Sequence, residues 1–221
     1  MKLNELIELH PQLFHMAEAG SWPGIAKHGL LPTRTIVETA SIPESEKEAL
    51  LSHRRPTSIR IPHAVLGDVV IRDQGPLNIK HLEPKLTDVS LSGWLDILNE
   101  RVFFWLHPDK LAGLLTARRY KNSLQDVLTL DTRSMLESVG DRVRLSPINS
   151  GAALYPNATP RGTQTFVPIS GYDYVARRRA RGPVNAIVEL AVVGGVLDIA
   201  DHVTSVRRMK GLQVLDEYML D

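Results

Sequence analysis

The chain contains no cysteine. Disulfides, thiolate zinc sites and cysteine nucleophiles are excluded together, and the absence fits a reducing compartment. Long apolar runs are also missing: none approaches the roughly 20 residues that a membrane helix needs. The opening segment, Met1-Lys2-Leu3-Asn4-Glu5-Leu6-Ile7-Glu8-Leu9-His10, is amphipathic and places acids where a signal peptide needs an unbroken apolar core. No membrane partner is expected, and a cytoplasmic location is the default. Charge of one sign is absent too. The formal net charge is +1, so composition alone calls for neither a nucleic acid nor an anionic surface. Several motifs are lacking: His-Glu-x-x-His, Gly-x-Ser-x-Gly, a Walker loop and Gly-x-Gly-x-x-Gly. No two of the eight histidines are spaced i,i+4, so no metal is expected.

What is present suits a soluble globular fold. With 221 residues, 43% hydrophobic and 23% charged, the chain can bury a proper core and most simply forms one domain over 1–221. Apolar periodicity predicts helices over 3–9, 33–39, 44–52, 90–99, from His107-Pro108-Asp109 onward, and near 133–138. Ser21 reads as an N-cap for a helix running to His28, with Gly29 at its end. Strands are expected at 13–17, 58–61, 68–72, 101–106, 126–130, 142–145, 166–169, 184–193 and 203–208. A polar passage over 72–88 and a Pro/Gly/Asn/Ser-rich stretch over 146–162 read as long loops. Short strands broken by helices, without a regular βαβ rhythm, indicate an α+β fold.

Within the apolar run Val184-Asn185-Ala186-Ile187-Val188-Glu189-Leu190-Ala191-Val192-Val193, Glu189 is the only charge. A carboxylate in low dielectric costs several kcal/mol or holds its proton to higher pH, so it needs a partner or a job. On a period of two it shares a face with Ile187, Ala191 and Val193. Glu189 therefore either looks into a cleft from a rigid strand, or lies on an edge strand in solvent or beside an arginine. Arginines are unevenly spread: Arg177, Arg178, Arg179 and Arg181 cluster just before this run, and Arg54-Arg55, Arg118-Arg119 and Arg207-Arg208 form pairs. Such local clusters can hold phosphates without a basic whole.

Three blocks in order carry a family likeness. The first is Leu13-Phe14-His15-Met16-Ala17 with Trp22-Pro23-Gly24-Ile25-Ala26-Lys27-His28-Gly29-Leu30-Leu31. The second is Arg101-Val102-Phe103-Phe104-Trp105-Leu106, followed by a Leu-rich helix. The third is Ile187-Val188-Glu189-Leu190-Ala191-Val192, with Gly194-Gly195-Val196-Leu197-Asp198-Ile199 behind it. This arrangement resembles the ADP-ribosyltransferase superfamily, and within it the DarT-type toxins that modify DNA bases. The second block departs in having Phe103, Phe104 and Trp105 where many relatives have tyrosine.

The resemblance implies a split, mixed β-sheet core flanked by short helices, and a reaction that consumes NAD and releases nicotinamide. It also implies roles. Glu189 would be the catalytic carboxylate, and His15 would meet the nicotinamide ribose. Phe104 or Trp105 would stack on nicotinamide, although strand parity puts the two on opposite faces. Arg54 and Arg55, or in their place Arg72, would fork onto the pyrophosphate. Arg177, Arg178, Arg179, Arg181 and Asn149 would meet the acceptor, expected to be a nucleic acid, and an antitoxin protein would be a partner. A protein acceptor, an RNA 2′-phosphotransferase-like enzyme and a non-catalytic NAD- or nucleic-acid-binding module remain as alternatives.

Overall fold

Residues Gln125 to Leu130 are all buried, and their strand is the spine of the molecule. The computed structural model describes residues 1–219. In chain order the first elements are α1 (Leu3–Leu9), β1 (Gln12–Glu18), α2 (Trp22–His28), α3 (Thr33–Thr39), α4 (Glu44–Ser52), β2 (Ile59–His63) and β3 (Gly67–Ile71). There follow α5 (Ile79–Leu82), α6 (Leu91–Asn99), β4 (Arg101–Trp105), α7 (Pro108–Leu115), β5 (Leu124–Asp131), α8 (Thr132–Val139) and β6 (Val143–Ser146). The last third holds α9 (Tyr174–Arg181), α10 (Pro183–Ala186), β7 (Glu189–Val193), β8 (Val203–Lys210) and β9 (Gln213–Met219). Among the described residues no helix is long and apolar enough to cross a membrane.

The architecture is α+β. Seven strands form one sheet in the order β6-β7-β4-β1-β5-β8-β9, and β2 with β3 forms a separate hairpin. The expectation of a mixed sheet is corrected, because every pair of named strands is antiparallel. Strand direction leaves no trace in composition here: strands covered on both faces read as near-continuous apolar runs whichever way their neighbours run.

One junction in the sheet is incomplete. β1 pairs with β5 along its whole length, from Gln12↔Asp131 to Glu18↔Gln125. Against β4 it makes a single pair, Phe14↔Trp105. Beyond that pair the two strands part, and the sheet is split between β1 and β4.

Alternation sorts the side chains into layers. Leu13, Ala17, Phe104, Leu190 and Val192 join Met135, Leu136 and Val139 of α8 in the main core, with Leu6 and Ile7 of α1. On the opposite face, Ala191 and Phe103 meet Trp94, Leu95 and Leu98 of α6. Met16 and Val127 meet Leu111 and Leu115 of α7, with Phe14 and Trp105 alongside. Each fully buried Leu or Trp of this kind contributes about 2 kcal/mol or more. A fourth, smaller core joins Val37, Leu50, Ile61 and Ile71, so α3, α4 and the hairpin pack as a unit between β1 and β4 in sequence.

Several expectations are corrected by the structure. β7 begins at Glu189, not at 184, because Pro183 and Asn185 lie in the short helix α10. It is an interior strand, flanked by β6 and β4, which removes the edge-strand reading of Glu189. Residues 166–169 form no strand; Val167 makes only an isolated bridge to Leu145. Ser21 stands before α2 without capping it through its side chain. The 72–88 passage contains α5, capped by Asn78. β9 carries no sequence signal, since Val214, Leu215 and Tyr218 are exposed on both of its faces and leave no alternation to read.

Candidate active site

The split opens into a cavity of about 540 Å³. Its walls come from both sides of the parted sheet, with His15 to Glu18 of β1 facing Arg101 to Trp105 of β4. The turn before α2, one side of α2 (Gly24, Ile25 and His28) and the segment leading into α3 form one rim, and residues 68–74 at the end of the hairpin form another. Asn149, Ser150 and Gly151 close the end that holds Glu189. The volume is in the usual range for a small-molecule or cofactor site, about 300–1,000 Å³.

The segment after α2 is pinned close to the end of β7. Leu30 and Val196 exchange both backbone hydrogen bonds, at 2.8 and 2.9 Å. Gly195, at φ 84°, leaves no room for a side chain, since a Cβ there would sit 2.5 Å from the Leu30 carbonyl oxygen. This joins the first and third sequence blocks around the cavity.

Glu189 is 4% exposed. It lies opposite Trp105 on β4 and Ser146 on β6 in the strand register. Its Oε2 accepts from the Ser150 backbone N–H at 3.0 Å and from the Ser150 hydroxyl at 2.6 Å. Among the described residues Oε1 has no hydrogen-bond partner, so with Oε2 held by Ser150 it is the oxygen left for a group bound in the cavity. Burial pushes the carboxyl up to about 7, against the Ser150 hydrogen bonds and the nearby Arg161 charge, which pull it down. Near neutral pH this group can both give and take a proton.

His15 faces the same cavity from the other strand. Its Nδ1 donates to the Phe103 carbonyl at 2.9 Å, occupying a β4 backbone group where pairing with β1 has lapsed. Burial holds the imidazole down to about 4, with the Arg72 charge acting in the same direction and the Phe103 bond opposing it. The ring is therefore neutral at pH 7. Since Nδ1 carries the proton, Nε2 offers a lone pair, and among the described residues it has no hydrogen-bond partner. A neutral acceptor of this kind suits a hydroxyl donor.

Phe104 and Trp105 both border the cavity but differ in burial. Phe104 is 1% exposed and belongs to the main core beneath His15, with ring centroids 5.7 Å apart. Trp105 is half-buried, lines the cavity and shares a face with Glu189.

The three arginines considered for an anion separate clearly. Arg54 does not line the cavity; its guanidinium donates to the Gln74 and Gly75 carbonyls. Arg55 touches the wall but is 5% exposed, with donors committed to the Leu50 carbonyl, the Arg72 carbonyl and the Asn99 side chain. It staples α4, the hairpin exit and α6 together. Arg72 stands over the Tyr120 ring at 5.0 Å and gives Nη1 to Gln125 at 2.8 Å, leaving further donors toward the cavity. Arg60 and Arg101 also line the wall. Among the described residues no group of three or more His, Asp or Glu is placed to hold a metal ion.

The arginine helix is not brought into the cavity. Arg178 and Arg179 are exposed and face a second, shallow hollow beside Glu5 and Tyr174, and Arg177 lies over the Tyr172 ring at 5.1 Å. Arg181 alone reaches toward the site, donating 2.7 Å to the Pro147 carbonyl at the root of the loop that carries Asn149. Asn149 does line the cavity.

Reading the sequence missed Ser150 and Arg161. Ser150 adjoins Asn149 and could have been found with it. Arg161 carries no sequence signal: it is 3% exposed, and its guanidinium is spent on the carbonyls of Ser150, Ala152 and Thr159. Among curated proteins and among solved structures, none matches this chain. DUF7002, described as a family of unknown function, matches residues 11–203, a span that includes every cavity residue named above, and the chain belongs to that family.

Proposed function

We propose that this protein is an NAD-dependent mono-ADP-ribosyltransferase acting in the cavity at the sheet split, with a nucleic acid as acceptor. One observation carries the reading. A buried carboxylate with one oxygen held by Ser150 and the other left for a bound group shares the cavity with a neutral histidine whose Nε2 is an acceptor.

Those two groups fit the two demands of the reaction. When the bond between C1′ of the ribose and the nicotinamide nitrogen breaks, its electron pair leaves with nicotinamide, and positive charge develops on the ribose. The Glu189 carboxylate stabilises that charge and receives the proton of the acceptor nucleophile as the new bond to C1′ forms. The products are the ADP-ribosylated acceptor, nicotinamide and one proton. His15 Nε2 receives a hydrogen bond from a ribose hydroxyl, Trp105 offers its ring to nicotinamide, and Arg72 meets the pyrophosphate. The cationic nicotinamide ring itself favours the ionised form of Glu189. Asn149 sits on the acceptor side, and the exposed arginines of α9 supply phosphate contacts along an extended acceptor.

The test is incubation with NAD and DNA, RNA or protein acceptors, following free nicotinamide and the mass added to each acceptor. Nicotinamide release with label on nucleic acid is expected. Glu189→Gln should lose about 10² to 10³-fold or more in transfer while still binding NAD. Full activity in that variant, or NAD binding without turnover on any acceptor, would overturn the reading. Label on protein instead would keep the chemistry and change the acceptor.

A further inference from the structure

The strands place Glu189 but do not orient its carboxylate. Its neighbours in the register, Trp105 and Ser146, make no hydrogen bond to it. Orientation comes from Ser150, 39 positions earlier in the chain, through two hydrogen bonds to one oxygen. Ser150 lies on a stretch between Ser146 and Gly162 that has no helix or strand of its own. A loop of that kind holds a side chain still only if it is tied internally.

Arg161 supplies the tie. Its Nη1 donates to the Ser150 carbonyl at 3.0 Å and to the Ala152 carbonyl at 2.9 Å, and its Nε to the Thr159 carbonyl at 3.1 Å. Its own backbone is fixed in turn: the Arg161 N–H donates to the Lys85 carbonyl at 2.8 Å, and its carbonyl accepts from Thr87 at 3.1 Å. The guanidinium also stands 6.0 Å from the Trp94 ring of α6. A buried guanidinium is costly to desolvate, and here its cost is offset by carbonyls of the one loop that touches Glu189.

We propose that Ser150 and Arg161 are positioning residues for Glu189: Arg161 holds the Ser150 peptide, and Ser150 holds Oε2 so that Oε1 alone meets the bound substrate. This rests on Glu189 being the catalytic carboxylate. The charged groups around it are Arg161 on the loop and, on other walls of the same cavity, the cations Arg55, Arg60, Arg72 and Arg101 and the carboxylates Glu18, Asp68 and Asp73; His15 lines the cavity as a neutral ring.

Ser150→Ala removes the hydroxyl donor and keeps the backbone one; Ser150→Thr retains both. With NAD as substrate, Ser150→Ala should lower kcat about 10 to 100-fold while KM for NAD stays within about twofold, and Ser150→Thr should recover most of the loss. The acid limb of kcat/KM should move up by about one pH unit in Ser150→Ala, because a hydrogen bond to the ionised form is gone. Arg161→Gln should change both quantities in the same direction; thermal melting checks that it folds, and the Ser150 pair decides the matter if it does not. An unchanged kcat and pH limb in Ser150→Ala would overturn the proposal.

A second measurement separates this from the reading of the site. Carbon-13 NMR of the Glu189 carboxyl, its signal identified by its absence in Glu189→Gln, titrates the group directly. A midpoint raised by about one pH unit in Ser150→Ala supports the clamp, and an unmoved midpoint refutes it. If the wild-type protein never turns over NAD, the proposed reaction falls, and this titration still decides whether Ser150 and Arg161 control Glu189.

Discussion

Glu189→Gln should make the protein more stable, and only above a certain pH. The folded carboxyl keeps its proton up to about 7, from an ordinary value of 4.5. Between those limits the folded chain binds a proton that the unfolded chain has released, so raising the pH favours unfolding. The stability linked to Glu189 is fully present below about pH 4.5, falls as the pH rises to about 7, and is flat beyond; at about 1.4 kcal/mol per pH unit the loss is about 3 kcal/mol. Glutamine has nearly the same shape. Its amide oxygen can accept from the Ser150 N–H and hydroxyl, and its NH₂ group would face the cavity. It carries no charge to desolvate at any pH. Thermal melting of both proteins from pH 4.5 to 8.5 should show near-equal midpoints at the acid end. By pH 8 the variant should lead by about 6–12 °C, using about 2–4 °C per kcal/mol for a chain of this size. Other titrating groups are common to both proteins and cancel in the difference. A gap that does not change with pH, or a wild type more stable at pH 8, would refute the idea that Glu189 is held desolvated for its task.

Four further outcomes follow from the same geometry. The kcat/KM of NAD turnover should rise with pH through about 7 as Glu189 ionises, with no second step from His15 above pH 5, since that ring is already neutral; a bell-shaped profile centred near 6 would contradict this. Arg72→Ala should weaken NAD binding about 10 to 100-fold in calorimetry and, by leaving the buried Gln125 oxygen without its partner, cost about 1 kcal/mol or more, whereas Arg55→Ala should leave several buried acceptors unpaired and cost about 3 kcal/mol or more in a denaturant titration. Gly195→Ala combines a positive φ with a Cβ 2.5 Å from the Leu30 oxygen and should cost about 2 kcal/mol or more, read by the same titration. Replacing Arg178, Arg179 and Arg181 by alanine should lower the salt dependence of nucleic-acid binding by about one unit of log–log slope for each phosphate no longer neutralised; an unchanged slope would remove α9 from the acceptor path.

Much of this was legible along the chain because it depends on local periodicity. The strands carrying His15, Phe104 and Glu189 each advertise themselves by apolar pattern, and the isolation of one acid in such a run marks it as expensive wherever the strand ends up. What could not be read depends on distant packing. Arg55 and Arg72 sit in similarly polar stretches. Only the approach of Asn99 from α6 and Gln74 from the hairpin exit makes the first a staple, whereas the second makes one side-chain bond, to Gln125, at the cavity wall. Arg161 becomes central because three carbonyls of an irregular loop converge on it, a pattern with no period. The mixed sheet failed for the same kind of reason: pairing direction is decided between strands, not within them.

The single Phe14↔Trp105 rung has a consequence for how the molecule opens. β1 is welded to β5 by seven register pairs and β4 to β7 by five, whereas one register pair joins β1 to β4. Amide hydrogen exchange should therefore report two blocks with separate opening free energies, the boundary running between residues 15–18 and 101–104. Anything bound in the gap that touches both lips adds its binding energy to whichever block opens first, by about 2.7 kcal/mol at a hundredfold excess over its dissociation constant. Protection would then rise on both sides of the gap together, so a scan of small molecules by exchange at these few amides would find the natural occupant of the split without any assay of what it does there.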